Sequence, residues 1–252
     1  MREQKHTKHI IIIGDGYSDY VVLRQFVLAI FNGMHADEIH LNFPDYNLLK
    51  SLNIERSVNK FVKRTNQSND YKLFGEPATE FKEEIVDTLI NILKILQKKN
   101  LQLSHRDLLI ISSDSEKPLG SQHNYFHEWA YSLEAILWLA IDDFYYQMVK
   151  QGYDYQYLPN VLPLIFFPSI EILVAACTED VHDFDRQCRC LKAKPDLKQK
   201  VWGTDSIDEA LKSGMLHGVL EAYMVPEALD KVYKNVPEVR RFIQLCFGVP
   251  RC

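Results

Sequence analysis

The sequence predicts an α/β protein with a mostly parallel four-stranded sheet, helices on both faces and a helical region at the C-terminal end. Up to about residue 177, short runs rich in β-branched residues alternate with longer segments in which apolar residues recur at helical spacing. After about residue 180 the strand pattern stops. We therefore expect an α/β domain over residues 1–179 and a helical region over residues 180–252.

The composition is that of an ordinary globular protein. Of its 252 residues, 46% are hydrophobic and 25% are charged, so the chain is long enough to bury a large core. The formal net charge of −5 argues against a nucleic-acid coat protein, because such proteins neutralise phosphates with excess Lys and Arg. It does not exclude an enzyme that acts on nucleic acid.

The sequence shows neither an export signal nor a membrane span. Its most apolar stretch, residues 161–177, is interrupted by two prolines and a glutamate, so it is expected to be a buried strand that leads into a helix. The five cysteines form an odd number and crowd toward the C-terminal end. We expect reduced thiols and a cytoplasmic protein.

The first strand is predicted at residues 9–13, and it ends in a turn with glycines on both sides of Asp15. An amphipathic helix is predicted from Ser18 onward. A second strand is predicted at residues 38–43. The polar segment 44–76 shows neither the alternation of a strand nor the apolar spacing of a helix, and it is a candidate insertion.

The second half of the predicted α/β domain contains the remaining strands. Pro77 is expected to open a helix, since proline suits the first helical turn. Further elements are expected in this order: a strand at 107–112, a long helix at 122–150, a strand at 161–167 and a short helix capped by Ser169. In the C-terminal region, the Val-Pro-Glu sequence at 225–227 and again at 236–238 predicts two helix starts.

Acidic residues directly follow three of the predicted strands: Asp15 and Asp19 after the first, Asp114 and Glu116 after the third, and Glu171 after the fourth. In parallel α/β sheets, ligands bind at the carboxyl ends of the strands. Several carboxylates in one crevice would repel one another unless a cation lay between them. Hard oxygen ligands suit Mg²⁺ or Mn²⁺, singly or as a pair, so the sequence predicts a divalent metal site.

Each acidic residue also has a structural interpretation. Asp19 would offset a helix dipole, and Ser18 would be the helix cap. Asp114 and Glu116 would be polar loop residues, and Glu171 would belong to the first turn of a helix. A rival interpretation takes Gly14-x-Gly16 as a dinucleotide-binding turn, but Asp15 and Asp19 would then face a pyrophosphate.

The acidic motifs resemble those of TOPRIM domains, the catalytic fold of topoisomerases, primases and OLD-type nucleases. Residues 14–19 resemble the Glu-Gly-x-Thr-Asp turn of the nuclease branch, and residues 114–116 resemble its Asp-x-Asp motif. Residues 168–171 resemble a Pro-x-x-Glu segment of small TOPRIM-like proteins from bacterial defence loci. The resemblance spans about residues 9–177, with two departures: Asp15 stands in place of the family's Glu, and Glu116 in place of its second Asp.

The resemblance implies a nuclease that hydrolyses phosphodiester bonds in DNA or RNA. In that reaction Asp114 and Glu116 would hold Mg²⁺ or Mn²⁺, and Asp15 would be a metal ligand or the general base. Asp19 would help to hold a second metal ion, and Glu171 is a further, weaker candidate ligand of that ion. The resemblance also implies a toxic effector of anti-phage defence that is controlled by an ATPase partner protein.

Other functions are left open by the sequence. One is a noncatalytic Rossmann-like nucleotide-binding or regulatory module whose acidic turns are structural. Another is a different Mg²⁺-dependent phosphotransfer enzyme. A homo-oligomer is also compatible with the sequence, whereas a topoisomerase would need a further domain with a tyrosine nucleophile.

Two basic segments are candidate contacts for nucleic acid. Lys60, Lys63 and Arg64 would share one face of a helix. The second segment contains a single acid, Asp196, and Trp202 follows it as a candidate base-stacking residue. Its basic residues are Arg186, Arg189, Lys192, Lys194, Lys198 and Lys200. Both segments are equally compatible with an ordinary solvated surface.

A cysteine-rich segment overlaps the second basic segment. Cys177, His182, Cys188 and Cys190 supply four potential zinc ligands, but their spacing lacks the paired Cys-x-x-Cys pattern. We therefore favour buried thiols over a zinc site.

Overall fold

The computed structural model describes residues 6–33, 39–52, 54–68, 75–114, 133–166, 169–178 and 193–247. These residues form two compact units. The sheet unit contains the described parts of Thr7–Gly16 and Leu41–Ile165, and the helical unit those of Tyr17–His40 and Phe166–Cys252. The structure thus divides the chain differently from a single boundary at residue 179.

The described strands form one four-stranded sheet. They are β1 (His6–Ile13), β2 (Ile39–Asn42), β3 (Leu108–Asp114) and β4 (Asn160–Phe166), in the order β2-β1-β3-β4. β1 and β3 pair in parallel, with Ile10 opposite Leu108 and Ile13 opposite Ile111. Successive residues of both strands are buried, as expected where a parallel sheet is covered on both faces. The predicted α/β fold with a parallel sheet and a C-terminal helical region is confirmed.

The helices of the sheet unit are α2 (Tyr46–Leu49), α3 (Glu55–Ser68), α4 (Glu76–Lys98) and α5 (Leu133–Lys150), with 3₁₀ turns at Lys50–Leu52 and Tyr155–Tyr157. α4 packs against both α3 and α5. The apolar stripes of these helices form one core with Ile11 and Ile13 of β1 and Leu109 and Ile111 of β3. These strand residues alternate along the chain because successive side chains of a strand point to opposite faces.

The candidate insertion at residues 44–76 contributes to this core. Leu49, Ile54, Val58 and Phe61 are all buried, and the Phe61 ring stacks on Phe81 of α4 at a centroid distance of 5.0 Å. α3 is otherwise polar, so the narrow apolar stripe formed by Val58 and Phe61 gave no clear bounds for this helix in the sequence, although Lys60, Lys63 and Arg64 were expected to share a helical face.

The helices of the helical unit are α1 (Tyr17–Gly33), α6 (Ile172–Thr178), α7 (Ala193–Trp202), α8 (Ile207–Lys212), α9 (Met215–Tyr223), α10 (Leu229–Asn235) and α11 (Pro237–Phe247). A 3₁₀ turn spans Pro226–Ala228, so helical structure begins at the proline of each Val-Pro-Glu sequence. α1 packs against the C-terminal helices: Phe31 lies edge-on to Phe247 at 4.8 Å. These ring contacts explain why α1 groups with the C-terminal helices rather than with its neighbours in sequence.

Two predicted helix caps were wrong. Ser18 lies inside α1, where its hydroxyl donates to Asp208 Oδ1 at 2.8 Å. The Ser169 hydroxyl has no hydrogen-bond partner in the described part of the chain, and α6 begins only at Ile172. Of the long helix predicted at 122–150, residues 122–132 lie outside the described residues. Among the described helices, none combines the length and the apolar character needed to cross a membrane.

Candidate functional site

The strand order places a topological switch point between β1 and β3. From β1 the chain continues to β2 on one side and later returns to β3 on the other side. In open α/β sheets, ligands bind outside the carboxyl ends of the two strands that flank such a point. The residues that follow Ile13 of β1 and those that end β3 are therefore the first candidates for a functional site.

Two predicted site residues, Asp15 and Asp114, lie at these strand ends. Ile13 pairs with Ile111, and two residues further along the chain the Ser113 hydroxyl lies 3.3 and 3.2 Å from the two carboxylate oxygens of Asp15. Asp114 follows Ser113 as the last residue of β3. The structure thus brings both acids to the same edge of the sheet, within the sheet unit.

The end of β3 is unusual because it is polar and buried. Ser112, Ser113 and Asp114 are at most 9% exposed. Burial of polar groups is unfavourable unless they find partners, and buried acids are rare. The sequence predicted Asp114 as a site residue but missed Ser113, although the abrupt change from Leu-Leu-Ile-Ile to Ser-Ser-Asp was a signal for both.

The turn after β1 differs from the prediction in one respect. Gly16 does not adopt the left-handed conformation that favours glycine. A Cβ atom at this position would meet no other atom within 4 Å. Neither backbone conformation nor local crowding therefore requires glycine at position 16.

The third predicted catalytic residue, Glu116, lies outside the described residues. Within the described ranges, no group of three or more His, Cys, Asp or Glu side chains is arranged to hold a metal ion. Asp15 and Asp114 supply carboxylate oxygens, which is the ligand type that Mg²⁺ and Mn²⁺ prefer. The described part of the site thus supplies the ligand type that such an ion prefers and contains two of the three predicted catalytic residues, Asp15 and Asp114.

The predicted ligands Asp19 and Glu171 belong to the helical unit. Asp19 lies in the first turn of α1, where a carboxylate offsets the helix dipole. Glu171 is 1% exposed, and its Oε1 accepts a hydrogen bond from Trp202 Nε1 at 3.1 Å and lies 3.8 Å from Lys198 Nζ. Its Oε2 has no hydrogen-bond partner in the described part of the protein.

The prediction that Trp202 stacks on bases was wrong. Trp202 is fully buried, and its indole N–H is used by Glu171. Lys198 and Trp202 are four residues apart on α7, so they lie on the same helical face. That spacing was the available sequence signal for a shared partner, but no local pattern identified Glu171 as that partner.

The first basic segment is largely neutralised by α4. Lys60 forms ion pairs with Glu80 and Glu84, and Arg64 forms them with Glu76 and Glu80. Partial burial raises the pKa of Glu84, but hydrogen bonds from Lys60 and Ser57 and the nearby positive charge lower it by more, so the net shift is downward. Lys63 is exposed.

Most of the basic side chains of the second segment lie outside the described part of the chain. Arg186, Arg189 and Lys192 lie outside the described residues, and so does the side chain of Lys194. Lys200 is exposed at the end of α7. A nucleic-acid contact through either basic segment stays a prediction.

The cysteine-rich segment is described only at Cys177. This thiol is buried, its sulfur lies 3.2 Å from the Leu173 carbonyl oxygen, and burial raises its pKa to about 12. Cys177 is thus a protonated, buried thiol, as favoured from the sequence. His182, Cys188 and Cys190 lie outside the described residues.

Comparisons with known proteins add no relative to this picture. No protein-family model matches the chain, and neither a curated protein nor a solved structure matches it. The TOPRIM resemblance therefore depends on the short acidic motifs at residues 14–19, 114–116 and 168–171.

Proposed function

We propose that the protein is a divalent-metal-dependent nuclease of the TOPRIM type, which hydrolyses phosphodiester bonds in DNA or RNA. The observation that carries this proposal is the position of Asp15 and Asp114 at the carboxyl ends of two neighbouring parallel strands, beside the switch point of the sheet. Glu116, two residues after Asp114, is the third proposed ligand.

In this proposal Asp15, Asp114 and Glu116 hold Mg²⁺ or Mn²⁺. The bound ion would activate water and stabilise the charge that develops on the phosphodiester oxygens. Ser113 donates a hydrogen bond to Asp15 and so orients that carboxylate. Asp15 is less buried than Asp114 and so more accessible to water, which makes general base its alternative role if it does not bind the ion itself.

Asp114 is proposed to bind the metal ion most strongly, because it is the more buried of the two acids. It is only 9% exposed, and an acid with little surrounding water attracts a cation more strongly than a solvated acid does. Asp114 is therefore the proposed anchor of the ion. Three parts of the proposal come from the resemblance alone: a second metal ion held by Asp19 with Glu171 as a weaker candidate ligand, an ATPase partner, and a role in anti-phage defence.

The test is cleavage of labelled DNA and RNA in the presence of Mg²⁺ or Mn²⁺, with EDTA as the metal-free control. We expect cleavage by the natural protein and a loss of at least about 100-fold in Asp114→Asn, because the variant lacks the anchoring charge. Asp87→Asn is the matched control, since Asp87 is an exposed acid on α4 of the same unit. Cleavage that survives in Asp114→Asn contradicts the proposal.

Ser113→Ala provides a second variant at this site. It retains both acids but removes the hydrogen bond that orients Asp15. Loss of such a supporting group typically lowers metal affinity or activity by about 10- to 100-fold. An unchanged cleavage rate in Ser113→Ala would contradict an orienting role for this serine.

A noncatalytic nucleotide-binding or regulatory module is the second candidate. It is favoured by hydrogen bonds within the chain, because acids that already have such bonds can have a structural role: Glu171 accepts one from Trp202, and Asp15 accepts one from Ser113. The two functions give different results in one experiment. A regulatory module would be stabilised against thermal unfolding by a nucleotide, and it would cleave no substrate with either metal.

A further inference from the structure

We propose that the sheet unit binds single-stranded nucleic acid on a tyrosine-rich surface that is separate from the candidate metal site. This inference rests on the proposed function, because it assigns a second contact to the same substrate class. The surface, here called the tyrosine surface, is formed by Tyr146 and Lys150 of α5, Tyr155 and Tyr157 of the following 3₁₀ turn, and Arg106 of the turn before β3.

The tyrosine surface concentrates the exposed apolar side chains of the protein. In the described part of the chain, eight large hydrophobic side chains are exposed, and four of them lie between residues 146 and 157. Their exposed fractions are 67% for Tyr146, 52% for Val149, 53% for Tyr155 and 62% for Tyr157. Aromatic rings are normally buried, so such a concentration of exposed rings indicates a binding surface.

Short-range contacts hold one of these rings, that of Tyr155, in place. The Tyr155 ring packs against the Tyr145 ring at a centroid distance of 5.3 Å. The Tyr145 hydroxyl donates to the Pro159 carbonyl oxygen at 2.8 Å and accepts from the Val161 backbone N–H at 2.9 Å. This half-buried tyrosine therefore anchors the Tyr155 ring to the beginning of β4.

A backbone contact brings a cation to the same surface. The His105 N–H donates to the Gln156 carbonyl oxygen at 3.0 Å, so the turn that contains Arg106 lies beside the turn that contains Tyr155 and Tyr157. Both turns precede strands of the sheet, Arg106 before β3 and Tyr157 before β4. The tyrosine surface is thus placed at the amino ends of these strands.

The cations of this surface are available to phosphates. Lys150 follows Tyr146 by four residues on α5, so the two side chains are neighbours on one helical face. Neither Arg106 nor Lys150 forms an ion pair in the described part of the protein, unlike the paired cations of α3. The nearby acid Asp154 accepts hydrogen bonds from the backbone N–H and the side-chain amide of Gln156, at 3.0 and 2.9 Å.

Unpaired cations beside exposed aromatic rings favour a single-stranded nucleic acid over a protein partner. Proteins that bind single strands combine positive charge for the backbone with aromatic rings on which the bases stack. Trp202 cannot serve as such a ring because it is buried, whereas the tyrosines of this surface are accessible. β3 has seven residues, so the tyrosine surface lies about 20 Å from Asp114 along that strand.

Fluorescence anisotropy of labelled oligothymidylate and oligouridylate, measured in EDTA so that no cleavage occurs, tests the inference. The variant is Tyr146→Ala combined with Tyr157→Ala, whose positions are exposed enough for the fold to tolerate both changes. We expect its affinity to fall by at least about 5-fold, which is the lower limit for loss of a single stacked base. The corresponding double phenylalanine variant keeps both rings and should bind normally.

One further variant tests the charge of the surface, and two serve as controls for position and charge. Tyr223→Ala removes an exposed tyrosine of the helical unit and should bind as the natural protein does. Arg106→Gln should reduce the slope of log affinity against log salt by about 0.7, the value expected for one phosphate contact on a single strand. Lys212→Gln, an exposed cation of α8, should leave that slope unchanged.

The outcomes separate this inference from the proposed nuclease. If the folded double alanine variant binds the oligonucleotides as tightly as the natural protein does, the inference is overturned. The tyrosine surface would then be a candidate contact for a protein partner. Absence of oligonucleotide binding by the natural protein also overturns it. Cleavage that persists in Asp114→Asn, together with lost binding in the alanine variant, refutes the proposed metal site and supports the tyrosine surface.

Discussion

Replacement of Glu171 by Gln tests whether the buried pair with Lys198 stabilises the helical unit. The glutamine keeps an acceptor for the Trp202 N–H but removes the charge that lies 3.8 Å from Lys198 Nζ. At an effective dielectric constant of about 20, two unit charges at that distance attract by about 4 kcal/mol. Burial of the carboxylate opposes this gain, and Lys198, at 20% exposure, can turn toward water in the variant.

We therefore expect Glu171→Gln to lower the free energy of unfolding by about 1–3 kcal/mol. The assay is urea unfolding at neutral pH of the natural protein, Glu171→Gln, Lys198→Met and the double variant. If the two charges stabilise each other, the double variant will lose less stability than the sum of the two single variants. Glu83→Gln, at an exposed position of α4, is the control and should change stability by less than about 0.5 kcal/mol.

A Glu171→Gln variant that is more stable than the natural protein would refute this reasoning. It would show that the cost of burying the carboxylate, whose Oε2 has no partner in the described part of the chain, exceeds the attraction to Lys198. Glu171 would then be an acid that is retained against stability, which is typical of residues that bind a ligand.

Three further predictions concern the sheet unit. Asp107→Ala should lower the free energy of unfolding, measured in urea, by about 3 kcal/mol, because the backbone N–H groups of His9 and Ser104 would lose their buried carboxylate acceptor. A loss below about 1 kcal/mol would contradict this prediction. Tyr145→Phe should cost about 1–3 kcal/mol, and absorbance titration should show one fewer tyrosine ionising near pH 12, since burial raises the Tyr145 pKa to about 12. Lys60→Met should lower the melting temperature at pH 7, and the difference should shrink as the pH falls below the ordinary pKa of glutamate and through the lowered pKa of Glu84, because the pair stabilises the fold only while that acid is ionised. A difference that stays constant from pH 7 into strong acid would contradict the pairing.

The strands of the fold were predictable because their signals are local. The run Ile10–Ile13 is buried on both faces, so its unbroken apolar character survives in the sequence as a strand pattern. Pro77 and the two Val-Pro-Glu sequences likewise mark helix starts through the fixed backbone angle of proline. The bounds of α3 and its place in the core were missed because only one narrow stripe of that polar helix is apolar.

The candidate site was only partly predictable. Asp15 and Asp114 were predicted because the rule about strand ends depends on sequence order alone. Ser113, the partner of Asp15, is 98 residues away from it, and its role follows from the β1 to β3 register. The hydrogen bond between Glu171 and Trp202 is also long-range. No local pattern therefore indicated that Trp202, which follows a basic segment, is buried rather than available to stack on bases.

Mn²⁺ binding is the measurement that tests the central claim most directly, because it does not require activity or a partner protein. Titration of the natural protein with Mn²⁺, followed by electron paramagnetic resonance, should show saturable binding. Asp15→Asn and Asp114→Asn should each weaken that binding by at least about tenfold, while Asp87→Asn should leave it unchanged. Equal Mn²⁺ affinity in the natural protein and in Asp114→Asn would contradict a metal site at the carboxyl ends of β1 and β3.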